Sequence, residues 1–241
     1  MLSILQGAFS LFLCKYSLID SNYNCHHRVC FASSTSYMDS SILSHNKTTG
    51  KSVTFVSSNE MKIREVKQIL GDSLPMQLRF ENLELDEPQA TPISISQAKC
   101  RQAASMCNGP VIVEDTSLCF NALNGLPGPY IKWFYEAVGN EGLAKMLNGF
   151  EDKTAYAQCV LSYCSGPGPD KGRNIKTFVG SVDGNIVPPD GPAGFGWDPI
   201  FVPLGDTRTF AQMNSAEKNV MSHRYRAFRQ FKAYMNQRSG S

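Results

Sequence analysis

The sequence predicts an α/β or α+β fold built around a mixed sheet. Three observations carry that reading. From residue 51 onward, strand-like and helix-like segments alternate. The chain has 241 residues, 42% of them hydrophobic and 18% charged, so it can bury a full core in one globular domain or two closely joined lobes. No internal repeat or low-complexity tract interrupts the alternation.

Taken in order, the apolar run Val53-Thr54-Phe55-Val56 opens a strand over 53–57. The following stretch, SSNEMKIREV, turns that strand into a helix over 60–70: Ser58 or Asn59 is a good cap, Ile63, Val66 and Ile69 share one face, and Gly71 ends it. A strand over 76–80 and a helix over 94–107 follow, then a short buried strand, Val111-Ile112-Val113, that ends in Glu114-Asp115-Thr116. Pro129 suits the first position of a helix over 129–137, and a second helix covers 140–147. Strands over 155–163 and 175–182 flank a Pro and Gly cluster at 165–172 that reads as a hairpin loop, with a further strand over 185–187. Ser215 caps a short helix over 215–219, and Ser222 caps the last one, 222–236, on which Tyr225, Phe228 and Phe231 fall on one core-facing side.

The first fifty residues differ in character, with three of the four histidines and few charged side chains. Their apolar opening, MLSILQGAFSLFLC, is too short to span a bilayer and lacks the basic start of a secretory signal. Residues 1–50 therefore read as a poorly structured extension, with organelle targeting as the alternative, 51–236 as the folded domain and 237–241 as a tail. The formal net charge of +2 is too mild to argue for nucleic acid or a membrane surface as a partner. Eight cysteines occur without a CxxC pair, and HExxH is missing, so a structural zinc site has no support; reduced thiols in a cytoplasmic protein fit best. Cys119 and Cys159 lie in apolar stretches and are expected in the core.

Cations at helix starts give the first functional signal. Lys62, Lys132, Lys218 and the pair His223-Arg224 all fall where the helix dipole favours acid. One such placement is noise, since an exposed lysine loses little. Four suggest helix ends converging on a bound polyanion, such as a phosphate chain. Glu114 and Asp115 at a strand end, and the acidic cluster Glu84-Leu85-Asp86-Glu87, add carboxylates of the kind that hold Mg²⁺ on substrate phosphates. VIVED resembles the acidic strand of a P-loop NTPase, yet GxxxxGK[ST] occurs nowhere. Lys132-Trp133-Phe134 and Phe195-Gly196-Trp197-Asp198 place flat rings beside charges, as a base pocket needs and as core packing also explains.

Four stretches, SSNEMKIREV, VEDTSLCFNALNGLPGPYIKWF, AGFGWDPIF and AEKNVMSHRYRA, together resemble the inosine triphosphate pyrophosphatase (Ham1-like) family across about residues 51 to 236, in order and with compatible spacing. The resemblance implies Mg²⁺-dependent hydrolysis of ITP, dITP and XTP to the monophosphate and pyrophosphate, with Mn²⁺ as a substitute. It also implies an elongated, two-lobed α/β homodimer with its active site in the cleft between lobes. Carried over by motif, Ser57, Ser58, Asn59, Glu60, Met61 and Lys62 form the phosphate loop, and Lys99, Lys132 and Lys218 add positive charge. Glu87 and Asp115 hold the metal, and Asp115, with Glu114, activates the attacking water. Thr116 belongs to the same loop, and Phe195, Gly196, Trp197 and Asp198 hold the base with His223 and Arg224. Ser58 departs from the glycine common in the family, and serine would be strained there if the backbone needed positive φ. A pyrophosphatase for other modified nucleotides and a non-catalytic nucleotide- or RNA-binding module are the alternatives, the latter suggested by SHRYRAFRQFK.

Overall fold

The computed structural model describes residues 52–71, 73–107, 109–166, 174–192 and 194–239, all within one compact unit, Thr48–Ser241. The extension expected over residues 1–50 lies outside the described residues. Among those described there are seven strands: β1 (Ser52–Val56), β2 (Gln77–Glu81), β3 (Val111–Phe120), β4 (Pro127–Gly128), β5 (Thr154–Cys164), β6 (Ile175–Ile186) and β7 (Phe201–Pro203). Five helices accompany them: α1 (Glu60–Leu70), α2 (Pro92–Met106), α3 (Ile131–Lys145), α4 (Ser215–Met221) and α5 (His223–Ser239). The strands form one mixed sheet in the order β2-β1-β3-β5-β6-β7, with β4 paired to β3. β1 runs parallel to β2 and β3, and the other pairings are antiparallel.

Successive side chains of a strand point to opposite faces, and that alternation sorts the core. Ile112, Cys159, Leu161 and Tyr163 pack with Val66 and Leu70 of α1 and with Phe228 and Phe231 of α5. Val111, Val113 and Cys164 pack the other way, against Cys100 and Ala103 of α2. A third cluster joins Leu118, Phe120 and Ala157 to Leu143, Trp197, Phe201 and Phe210. Phe228 is fully buried, so truncating it to Ala should cost about 3–5 kcal/mol. Cys119 and Cys159 are buried, free thiols, as expected, whereas Tyr225 is only half-buried.

Several elements differ from the sequence expectation, each for a local reason. β3 does not stop at Asp115 but runs to Phe120, because all ten of its residues pair with β5. The segments 175–182 and 185–187 are one strand: Gly184 is not a turn but a close approach, where a Cβ would meet the Val202 carbonyl oxygen at 2.3 Å. Helices 129–137 and 140–147 merge across a kink at Gly139, where φ is 63°, and α3 begins at Ile131 rather than Pro129. Asn214, not Ser215, caps α4, in a reciprocal capping box with Glu217. α5 extends to Ser239, into the expected tail. β4 and β7 are two and three residues long, too short for alternation to reveal.

Candidate active site

The site is built where β1 ends and β3 does not. β1 pairs with β3 through Val111 and Ile112 and stops at Val56, so Ser57–Asn59 cross beside the continuing β3, at the carboxyl end of a parallel strand. Asn59 caps α1: its Oδ1 accepts the Lys62 N–H at 3.0 Å, and Ser57 Oγ accepts the Asn59 N–H at 3.2 Å. Asn124 is the positive-φ residue among the described non-glycines, so Ser58 sits in backbone that serine adopts without strain. Ser58, Asn59, Glu60 and Met61 are exposed, and Glu60 places acid at the favourable end of the α1 dipole.

Alternation sends the two adjacent acids of β3 to opposite faces. Glu114 points with Ile112 toward α1 and α5, where its side chain is fully buried. Lys62 Nζ lies 3.5 Å from Glu114 Oε2 and 3.5 Å from its carbonyl oxygen. Arg224 donates to both carboxylate oxygens, at 3.3 and 3.4 Å, and Thr116 Oγ1 donates to Oε1 at 2.6 Å while accepting from Arg224 Nη2 at 3.0 Å. Burial pushes the Glu114 carboxyl up, but Arg224 and Lys62 overcome it and hold the group well below the usual carboxylate range.

Asp115 points with Val113 toward α2. Its Oδ1 accepts from Lys99 Nζ at 2.6 Å, and the same ammonium donates to Glu87 Oε1 at 2.8 Å. Its Oδ2 is buried and has no hydrogen-bond partner among the described residues. Burial outweighs Lys99 and Lys62 here, so the Asp115 carboxyl is raised above its ordinary value. Glu87 moves the opposite way: burial pushes it up, but the hydrogen bond and charge of Lys99, then the charges of Lys132 and Lys62, bring it down.

The aromatic segment lies on the Arg224 side. Lys218 Nζ bonds Asp198 Oδ2 at 2.5 Å and stands 5.0 Å over the Phe195 ring, and the Arg224 guanidinium lies 5.5 Å from the same ring. Burial lifts Asp198 to about 6 despite Lys218. Gly196 has φ of 57°, which favours glycine, and its carbonyl accepts from Asn140 of α3 at 3.0 Å. His223 lies between Trp197, at 5.5 Å, and Phe210, at 6.3 Å, with both ring nitrogens buried and unpartnered. Burial, then the charges of Arg224 and Lys218, keep it well below the ordinary histidine range, so the ring is neutral.

The expected site residues are thus largely brought together, but not as expected. Three of the helix-start cations are held by carboxylates. Lys62 and Arg224 share Glu114, while Lys218 and Arg224 share Glu65, Lys218 at 2.8 Å. Lys132 stands apart, 5.5 Å over the exposed Trp133 ring, and reaches the site only through its field on Glu87. Glu65 is the residue the sequence reading missed. Its signal was its position three residues after Lys62, on the same helix face. Asn140 and Phe210 gave no comparable signal.

Comparison with known proteins identifies the family. The model of the Ham1 family matches residues 53–234. An inosine triphosphate pyrophosphatase of Batrachochytrium dendrobatidis is 51% identical over 189 residues, covering 78% of this chain and 96% of that protein. Among solved structures, the Staphylococcus aureus Ham1 protein is 30% identical with a TM-score of 0.65, over 78% of this chain and 100% of its own. A HAM1 protein from Coxiella burnetii is 25% identical with a TM-score of 0.68, over 78% and 99%. A Mycobacterium abscessus protein described as a nucleoside-triphosphatase and dITP/XTP pyrophosphatase is 25% identical with a TM-score of 0.58, over 75% and 98%. With a match spanning nearly all of the described residues, the chain belongs to the Ham1 family.

Proposed function

We propose that this protein is a nucleoside triphosphate pyrophosphohydrolase that converts ITP, dITP and XTP to the monophosphate and pyrophosphate, clearing non-canonical purines from the nucleotide pool. The observation that carries the reading is Asp115: a buried carboxylate with one oxygen on Lys99 and the other unpartnered, set in a cationic surround. The names of the relatives point the same way.

Among the described residues no group of three or more His, Cys, Asp or Glu side chains is placed to hold a metal ion. Mg²⁺ needs no such cage, since one or two carboxylates plus substrate phosphates suffice. Glu87 and Asp115 fit that demand: both are hard oxygen donors on one ammonium, and Asp115 Oδ2 is free to ligate. Bound there, Mg²⁺ or Mn²⁺ supplies charge neutralisation for the pyrophosphate that leaves. The chain's own residues do the rest. Lys62, Lys99, Lys132 and Lys218 spread positive charge along the triphosphate, with the Ser57–Met61 turn alongside. Asp115, with one oxygen on Lys99 and the other without a partner, orients or deprotonates the water attacking the α-phosphorus. Glu114 is locked as an anion by Arg224, Lys62 and Thr116, which makes it a positioning residue rather than the base.

Base selectivity follows from hydrogen-bond inventory. Donors from His223 or Arg224 satisfy a 6-keto oxygen, whereas a 6-amino group sets donor against donor, which costs on the order of 1–3 kcal/mol for each group left unpaired. The Phe195 ring lies beside Arg224 and the Trp197 ring beside His223. The protein is cytoplasmic and homodimeric in this reading, with small-molecule nucleotides rather than nucleic acid as partners. Buried free thiols and the exposed Leu126, Trp133 and Val138 support the first two points. No helix among the described residues is long and apolar enough to cross a membrane. A pyrophosphate-release assay with ITP, ATP and dUTP tests the function. Release from ITP alone supports it, equal release from dUTP points to a broader pyrophosphatase, and no release from any leaves a binding module.

A further inference from the structure

The side chain that joins the two proposed metal ligands is a cation. Lys99 Nζ sits 2.8 Å from Glu87 Oε1 and 2.6 Å from Asp115 Oδ1, and its side chain is mostly buried. It rises from the middle of α2, well away from either helix end, so its position reflects the carboxylates and not the dipole. Glu87 lies in an irregular segment and Asp115 in the centre of the sheet, and Lys99 is the hydrogen-bonded link between them. Of the other site cations, Lys62 bonds Glu114 and Lys132 lies over Trp133.

We propose that Lys99 is an internal counter-ion that keeps the metal from binding ahead of the nucleotide. In the nucleotide-free protein its ammonium bridges Glu87 and Asp115, satisfying one oxygen of each and opposing a second cation at the same pair. A triphosphate offers Lys99 an alternative partner. When the phosphates draw the ammonium away, the two carboxylates become available, so metal and nucleotide arrive together. The coupling is reciprocal: whatever factor the nucleotide adds to metal affinity, the metal adds to nucleotide affinity. Couplings of this kind are typically about 5- to 150-fold. The proposal rests on Glu87 and Asp115 being the metal pair.

Mn²⁺ binding to the full chain without nucleotide, followed by electron paramagnetic resonance, tests it. Wild type should bind Mn²⁺ weakly, and a non-hydrolysable inosine 5′-(α,β-methylene)triphosphate should tighten binding by about tenfold or more. Lys99→Met should tighten nucleotide-free binding by a similar factor and shrink the gain from the analogue. Lys67→Met, which removes an equal charge outside the site, should change it far less. Equal effects of the two lysine variants would reduce Lys99 to background field and overturn the proposal, as would unchanged or weaker Mn²⁺ binding in Lys99→Met. Asp115→Asn separates the layers: if it leaves Mn²⁺ binding intact, the metal assignment fails and the proposal with it, whereas loss of binding in Asp115→Asn isolates the test to Lys99. Thermal melting guards against misfolding, because Lys99→Met should melt earlier than wild type when metal-free and regain the difference when Mn²⁺ is added.

Discussion

Glu114 and Asp115 are consecutive acids on one strand, yet they live in opposite surroundings. Glu114 faces α1 and α5 and has Lys62, Arg224 and Thr116 around its two oxygens, which hold it anionic. Asp115 faces α2, has Lys99 on one oxygen and nothing on the other, and is raised by burial. A carboxylate whose hydrogen-bonding capacity is filled has no room for a ligand or a proton. One left partly empty in a dry place is poised to take either. The strand's alternation, one residue to each side, thus gives the two acids opposite surroundings, which is the basis for the proposed division between a structural Glu114 and a chemical Asp115.

The largest expected effect comes from emptying the chemical side. Asp115→Asn should lower turnover of ITP on the order of 10²- to 10⁴-fold, because the amide neither accepts the proton nor holds Mg²⁺ well. Its melting transition should stay close to wild type. Pyrophosphate release paired with thermal melting reads both, and more than about a tenth of wild-type activity would break the comparison.

The structural side should respond the other way. Glu114→Gln leaves the fully buried Arg224 short of one of its two carboxylate partners, so it should destabilise the fold by about 3 kcal/mol, measured by urea denaturation. A variant that melts like wild type but has lost turnover would move Glu114 across to the catalytic side.

Acid titration separates the two acids by sign. Glu114 is depressed in the folded state, so its stabilisation is present above the ordinary glutamate value of 4.5 and lost as pH falls toward its folded value. Asp115 is raised, so it subtracts stability as pH climbs from the ordinary aspartate value of 3.8 through its folded value. Glu114→Gln should therefore flatten the acid limb of the curve of urea midpoint against pH. Asp115→Asn should steepen the rise of that curve with pH. Identical profiles for the two variants would erase the distinction.

The smallest effect should come from Lys62. Its charge helps hold Glu114 at 3.5 Å, so an acid there would meet like charge, and Lys62→Glu should cost stability despite the favourable dipole. Lys62→Met removes the partly exposed pair alone and should cost under about 1 kcal/mol while raising KM for ITP. An unchanged KM would confine Lys62 to its contact with Glu114.

Much of this was legible in the sequence. Long periodic segments such as α1 and β5 announced themselves, and four motifs carried the family resemblance. What stayed hidden was set by partners distant in sequence. Nothing local says that β3 continues past Asp115, since that depends on ten residues of β5 lying opposite. Nothing local says that Glu65 receives Lys218 and Arg224, since those bonds span more than 150 residues. The cations at helix starts were real, but the sequence could not show that Lys62, Lys218 and Arg224 would each meet a carboxylate while Lys132 would not.

The unbroken pairing of β3 with β5, from Val111 opposite Cys164 to Phe120 opposite Ala155, also bears on motion. Amides bonded in the middle of such a ladder exchange with deuterium only through the rarest, most global openings. The two acids should therefore ride on one of the slowest-exchanging parts of the molecule, and in the proposed function their backbone is not what opens for a nucleotide. That freedom must come from the irregular chain around them, the exposed turn at Ser58–Asn59 and the segment from Asn82 to Ala90 that carries Glu87. Exchange there should be fast, and a bound nucleotide should slow it while leaving β3 as protected as before.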